Sequence, residues 1–265
     1  MPRIIAVSNQ KGGVGKTTTT INLAAALARA GYQVLLIDLD PQANATSGLG
    51  VVKEDLTEGV FHALVGEKTL AELAAPTDIE GLALVPASAA LIGAEVELIG
   101  SRDREQRLRQ AMASLPAGLD FVLLDCPPSL GFLTLNALTA ADSVLIPVQA
   151  EYLALEGLGQ LLRTLSQVRK RLNPRLVREG EVVTLFDRRN RLCHDVAAQL
   201  RDVLGEEVFE TMIPRNVRLG EAPSYGQCIF TYSATSSGAR AYTALAAELL
   251  QRNGLVARER QQVAS

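Results

Sequence analysis

The 265-residue chain has no Trp, and its aromatic complement is limited to 6 Phe and 5 Tyr. A surface that grips single-stranded nucleic acid by stacking successive bases is thereby excluded. Its three cysteines, Cys126, Cys193 and Cys228, are odd in number, far apart and without C-x-x-C spacing. Neither a disulfide framework nor a zinc knuckle fits them, and a reducing, cytoplasmic setting is expected. No run of about 18 apolar residues occurs, so no spanning helix is expected. The apolar stretch 4–7 at the N-terminus is too short for a signal peptide. One sign of charge hardly outweighs the other: the net charge is -3, too small for a global field that would pull the whole molecule onto a polyanion.

What the chain does have is apolar material, 48% of its residues. Short β-branched runs at 4–7, 34–37, 82–85, 121–124, 144–148, 182–185 and 208–213 read as strands, several of them apolar throughout. That is the mark of strands covered on both faces. Stretches with apolar residues three and four apart read as helices at 17–30, 90–115, 133–141, 153–172, 193–204 and 239–250. The alternation predicts an α/β fold, a mostly parallel twisted sheet with helices on both faces. Neither a repeat nor a composition break divides the chain, so one domain over 1–252 with a polar tail at 253–265 is expected.

The strongest chemical signal follows the first strand. Ser8, Asn9 and Gln10 lead into Lys11-Gly12-Gly13-Val14-Gly15-Lys16-Thr17-Thr18 and then a helix. Glycines let successive backbone N–H groups curl around anionic oxygens, and the helix presents its positive dipole end to the same charge. Lys16 is spaced to reach β- and γ-phosphates and Thr17 to ligate Mg²⁺. The ordinary G-x-x-x-x-G-K-[ST] pattern needs Gly at position 10, where Gln10 stands, so this is a variant loop. A plain glycine turn leaves two lysines and a Thr run unexplained, and a dinucleotide fingerprint needs a third glycine where Thr18 stands. Two strands then end in carboxylates, Asp38 and Asp40 after 34–37 and Asp125 after 121–124. In a parallel sheet both sets reach the crevice beside the phosphate loop, and Asp125 occupies the expected metal-holding position.

Four motifs in order, KGGVGKTT, LLIDLDPQ, FVLLDCPPS and IPRNVRLGEAPSYGQ, resemble the ParA/Soj family of deviant Walker A P-loop ATPases, in its short chromosomal form, across nearly the whole chain. The resemblance implies an ATPase that uses ATP and Mg²⁺, forms a homodimer when ATP-bound, binds double-stranded DNA without sequence preference and associates with the nucleoid. Its hydrolysis would be slow and stimulated by a ParB/Spo0J-like partner through a basic N-terminal peptide. By the same resemblance Lys11 is the signature lysine that crosses to the partner's phosphates, and Gly12 marks the closest approach of subunits. The residues from Lys11 to Thr18, Val14 included, hold the nucleotide. Catalysis falls to Lys11, Lys16 and Asp40, with Asp40 positioning water. Thr17, Asp38 and Asp125 stand at the metal. Pro214 and Asn216 form the adenine loop with Phe186 nearby, and Gln149 and Glu151 resemble a switch segment.

Between positions 163 and 191 nine basic residues face three acidic ones, a local charge of +6 in a chain of -3. A charge run alone is often a solvated helix end, but the family's DNA-binding positions align with Arg189 and Arg218. A MinD-like membrane organiser is the alternative function. It needs a C-terminal amphipathic helix, and LVARERQQVAS after Gly254 offers no sustained apolar face. A nitrogenase-reductase-like protein needs two suitably placed cysteines per subunit for its cluster, and only Cys126 is near that region here. An ATP-dependent biosynthetic ligase remains open to a product assay. His62 is isolated, His194 and the adjoining Cys193 point in different directions on a helix and do not share a metal, and Cys126 reads as a small buried residue.

Overall fold

Strands apolar on both sides need cover on both sides, and a computed structural model of the chain, describing residues 1–151 and 154–258, supplies it. The strands are β1 (Arg3–Val7), β2 (Val34–Asp38), β3 (Ala75–Pro76), β4 (Leu82–Val85), β5 (Phe121–Asp125), β6 (Ser143–Gln149) and β7 (Val177–Thr184). They form one sheet in the order β3-β4-β2-β5-β1-β6-β7. All neighbours are parallel except β3, which runs antiparallel to β4. Alternation sorts the side chains. Ile5, Val7, Leu36 and Leu123 join the layer of α1 (Lys16–Arg29) and the last helix, Ser237–Arg252. Ala6, Ile37, Leu124 and Ile146 join the layer of helices Phe132–Ala140, Ala154–Arg171 and Arg191–Leu204. The expected mostly parallel α/β sheet is what forms.

The central position of β1 places the site. Its neighbours β5 and β6 follow it late in the chain, so the connection leaving β1 goes one way and the one leaving β5 crosses to the other side. A crevice opens at such a reversal, beyond the carboxyl end of β1.

Several expected elements differ. The run 208–213 is no regular strand. It meets β7 in one isolated bridge, Val208 to Glu181, and in the Phe209 and Ile213 amides donating to the Glu181 and Val183 carbonyls, because between them Glu248 on the last helix accepts the Glu210 and Thr211 amides at 2.8 and 2.9 Å. The side-chain carboxylate replaces the ladder. The expected helix 90–115 is broken into short turns. Between them the Ser101 hydroxyl donates to Asp103 Oδ1 at 2.6 Å and the Gln106 amide to the Asp103 carbonyl, local bonds that compete with a continuous helix. Strand β7 starts well before 182 and carries a register shift near Gly180, whose φ of 139° and close approach to the Glu207 carbonyl suit glycine alone. Strand β3 and the short helices Asn44–Gly48, Val60–Val65 and Val217–Glu221 were not expected. The start of the expected helix at Leu153 and the tail at 259–265 lie outside the described residues. Up to Arg258 the tail is docked: the Tyr32 hydroxyl donates to the Val256 carbonyl, and Arg258 lies over the Tyr32 ring and pairs with Asp120 at 2.9 Å.

Candidate active site

The loop between β1 and α1 is tied down from both sides. Asn9 donates to the Pro147 carbonyl at 2.7 Å and accepts the Lys11 amide at 3.0 Å, while the Thr184 hydroxyl donates to the Val14 carbonyl at 2.8 Å. On either side of Val14, Gly13 and Gly15 adopt φ of 76° and 82°, a region that side chains strain to enter. A Cβ added at Gly12, Gly13 or Gly15 would meet nothing within 4 Å, so these glycines leave free a space that the chain's own packing does not fill. Lys16 folds back over the loop and donates to the Lys11 carbonyl at 3.0 Å. It is nearly buried, which pulls its amine below the usual lysine range although Asp125 opposes the change. Thr18 lines the cavity beyond the loop.

Parallel registry brings the carboxylates together, since Asp38 and Asp125 are paired positions at the ends of β2 and β5. Both are fully buried. Burial, and for Asp125 the neighbouring Asp38 charge, push their pKa values up to about 6 and about 8. Asp125 Oδ1 accepts the Thr20 hydroxyl at 2.8 Å, and Thr17 stands beside the carboxylate and favours its charge. Its Oδ2 is buried without a hydrogen-bond partner. An orphaned carboxylate oxygen beside a hydroxyl and a lysine is suited to a hydrated cation. Asp38, expected to lie near the metal, is next to Asp125 in the sheet and has both oxygens engaged. Its Oδ1 accepts the Asp40 amide at 3.0 Å, and its Oδ2 accepts both the amide and the hydroxyl of Thr46, at 2.8 and 2.7 Å. Asp40 caps its own turn by accepting the Gln42 amide at 2.9 Å.

Lys11, expected to serve a second subunit, is paired in this single chain with Glu151 at 2.5 Å, and Gln149 donates to the other Glu151 oxygen. Gln149 and Glu151, expected to form a switch segment, are thus linked to Lys11. Pro214 and Asn216 line a cavity of about 370 Å³ with Gly13, Gly15, Leu185 and Tyr242, next to the loop. The Asn216 carboxamide is already engaged, accepting the Arg218 amide and donating to the Ser237 hydroxyl. Phe186, expected beside a base, lines instead an adjoining groove of about 770 Å³ with Pro214, Arg188, Arg189, Arg215 and Arg240. Its ring stacks edge-on against His194. Arg218 lies apart from that groove and is ion-paired with Glu221 at 2.8 Å.

The basic run 163–191 is not one patch. Strand β7 intervenes, and at about 3.3 Å per residue its 8 residues put roughly 23 Å between its ends. Arg169, Lys170 and Arg178 border a separate groove at the far end of the sheet from the loop. Cys126 is fully buried, its thiol pushed up by burial. Among the described residues no group of three His, Cys, Asp or Glu is placed to hold a metal, and no helix is long and apolar enough to cross a membrane.

Asn9, Thr20, Thr46 and Thr184 escaped the sequence reading. Thr20 had a signal, falling three positions after Thr17 on the same helix face. The others had none, because each also bonds a segment far away in sequence, Pro147 for Asn9, Ala87 for Thr46 and Val14 for Thr184.

Taken together, the loop can cradle a polyphosphate, the Asp125 oxygen can take a cation, and the 370 Å³ cavity can receive a base. The model of a family described as an AAA domain matches residues 2–178. A chromosome partitioning protein ParA from Myxococcus xanthus is 52% identical over 95% of this chain and 89% of its own length. A chromosome-partitioning ATPase Soj from Thermus thermophilus is 57% identical over 94% of this chain and 96% of its own. The crystal structure of cobyrinic acid a,c-diamide synthase from Mycobacterium smegmatis with bound ATP analogue and magnesium superposes with a TM-score of 0.83 at 41% identity, covering 93% of each chain.

Proposed function

The chain belongs to the ParA/Soj family of partitioning ATPases, and on that premise we propose that it is a dimerisation switch, closed by ATP and opened by slow hydrolysis. The observation that carries the reading is the loop 11–18, where two left-handed glycines and an unfilled space face a buried lysine. Backbone N–H groups there would hold the phosphates, with Lys16 donating to β- and γ-oxygens in surroundings from which water is largely excluded. Thr17 and the free Asp125 oxygen would hold magnesium, which when bound neutralises charge on the phosphates. With no protein cage for a metal among the described residues, the phosphates themselves would complete the shell. Asp40 would orient the attacking water. Lys11 would leave Glu151 and donate across the interface to the partner's nucleotide, passing over Gly12, where a bare backbone allows two chains to meet closely. One cation supplied in this way can be worth roughly 10³ to 10⁵ in rate.

The ATP-bound pair would bind duplex DNA through phosphates alone, with Arg189 and its groove neighbours from both chains, and Arg218 once it leaves Glu221. A ParB/Spo0J-like protein would stimulate hydrolysis and so release the pair from the nucleoid. Gel filtration with ATP, with ADP and without nucleotide, each with and without plasmid DNA, tests the scheme. ATP should shift the wild type to a dimer that co-elutes with DNA. Asp40→Ala should accumulate that dimer, and Lys16→Ala should bind no nucleotide. Asp40→Ala remaining monomeric in saturating ATP would remove the basis of the switch.

A further inference from the structure

We propose that Thr46 is the positioning residue of the water-orienting segment, acting through Asp38. This rests on the ATPase reading above. Thr46 is completely buried on the short helix Asn44–Gly48, eight positions after Asp38. Its backbone N–H and its hydroxyl both donate to Asp38 Oδ2, and the same hydroxyl accepts the Ala87 amide at 3.0 Å, just beyond the end of β4. The other Asp38 oxygen accepts the Asp40 amide. One threonine thus joins three pieces of chain: the end of β2, the turn that carries Asp40, and the exit from β4.

The chemistry of the hydroxyl makes the assignment specific. It has one proton, which goes to the carboxylate, and its lone pair is used by Ala87, so the direction of both bonds is set. Bonds to a charged acceptor are the strong ones, and a buried carboxylate with three donors keeps its orientation. Asp38 turned in this way offers its Oδ1 to the Asp40 amide, and the Asp40 side chain follows from that backbone. The strain is visible next door: Ala43, between Asp40 and the helix, sits at φ 53°, a left-handed conformation that a non-glycine residue holds only where its surroundings over-determine it. Thr46 supplies that constraint from the far side of the turn, and Asp38 serves as bracket, leaving the cation to Asp125.

The test compares Thr46→Val, which keeps the shape and removes the hydroxyl, with Thr46→Ser, which restores it. Turnover of ATP should fall about tenfold in Thr46→Val, with affinity for a fluorescent ADP analogue within about twofold of wild type, and Thr46→Ser should recover turnover. In nucleotide-free protein, amide exchange over 40–43 should quicken in Thr46→Val and not in Thr46→Ser. Should Thr46→Val fail to fold, Thr46→Ala, which leaves room for a water in place of the hydroxyl, takes its place. Unchanged exchange together with wild-type turnover overturns the proposal, and so does a loss of nucleotide affinity as large as the loss of turnover, which marks a purely structural residue. A wild type that hydrolyses no ATP overturns the ATPase reading instead, and the exchange measurement still decides the role of Thr46.

Discussion

Asp125 and Asp38 ionise where water does not reach, and the cost of that ionisation shows as a pH dependence. A carboxyl that holds its proton more tightly folded than unfolded stabilises the fold at pH below its unfolded value and loses that contribution as the pH climbs through its folded value. With ordinary pKa values near 3.8 raised to about 6 and about 8, the window runs from about pH 4 to about pH 8. The nucleotide-free protein should therefore lose melting temperature across that range, and Asp125→Asn should flatten the decline. An Asp125→Asn melting profile as steep as that of wild type would show that the carboxyl is ordinary. The residues of the loop were legible in sequence because their spacing is local: two lysines, three glycines and two threonines within eight positions have few other uses. The threonines that brace the loop and Asp38, Thr184 and Thr46, were not, since a Thr gives no hint of a partner 170 or 41 positions away.

Strands were easier to foresee than their limits. A run such as 121–124 is apolar throughout and can only be central, whereas 208–213 has the same β-branched look and is denied a ladder by one carboxylate on a helix 38 positions later. Glu248 also accepts from Arg252 at 2.9 Å. Burial pushes its pKa up, but the Thr211 and Glu210 bonds outweigh burial and leave it below the usual value. Its contribution is therefore present at neutral pH and fades as acid protonates it in the folded chain. Glu248→Gln should lower the unfolding free energy by about 1–2 kcal/mol in urea at pH 7, with the deficit shrinking toward pH 4. A loss that is the same at both pH values would trace to packing instead of charge. The broken helix 90–115 has a parallel lesson: its apolar spacing is real, but Ser101 and Asp103 bond locally and the helix cannot run through them.

For the molecule as a whole, charge that is contiguous in sequence is divided in space. The run 163–191 suggested one cationic face, and β7 separates it into a groove beside the nucleotide cavity and another at the opposite end of the sheet. Only the first lies where a nucleotide-driven pairing of chains could alter it. Arg189→Glu should therefore weaken DNA binding in ATP and reduce the slope of log affinity against log salt by about one for every phosphate it no longer neutralises. Arg169→Glu with Lys170→Glu should leave the gain produced by ATP intact. An equal fall of that gain in both variants would return the two grooves to a single surface.

The bond between Lys11 and Glu151 is too weak to set the tempo of the proposed switch. Both side chains are about two-fifths exposed, and an ion pair that wet is worth about 0–1 kcal/mol. Such a latch keeps the amine parked without guarding it, and exposed side chains swing within picoseconds to nanoseconds. In the proposed cycle, letting go would then not be the slow event, and the clock would run on how often two loaded molecules collide and how long the water takes to strike.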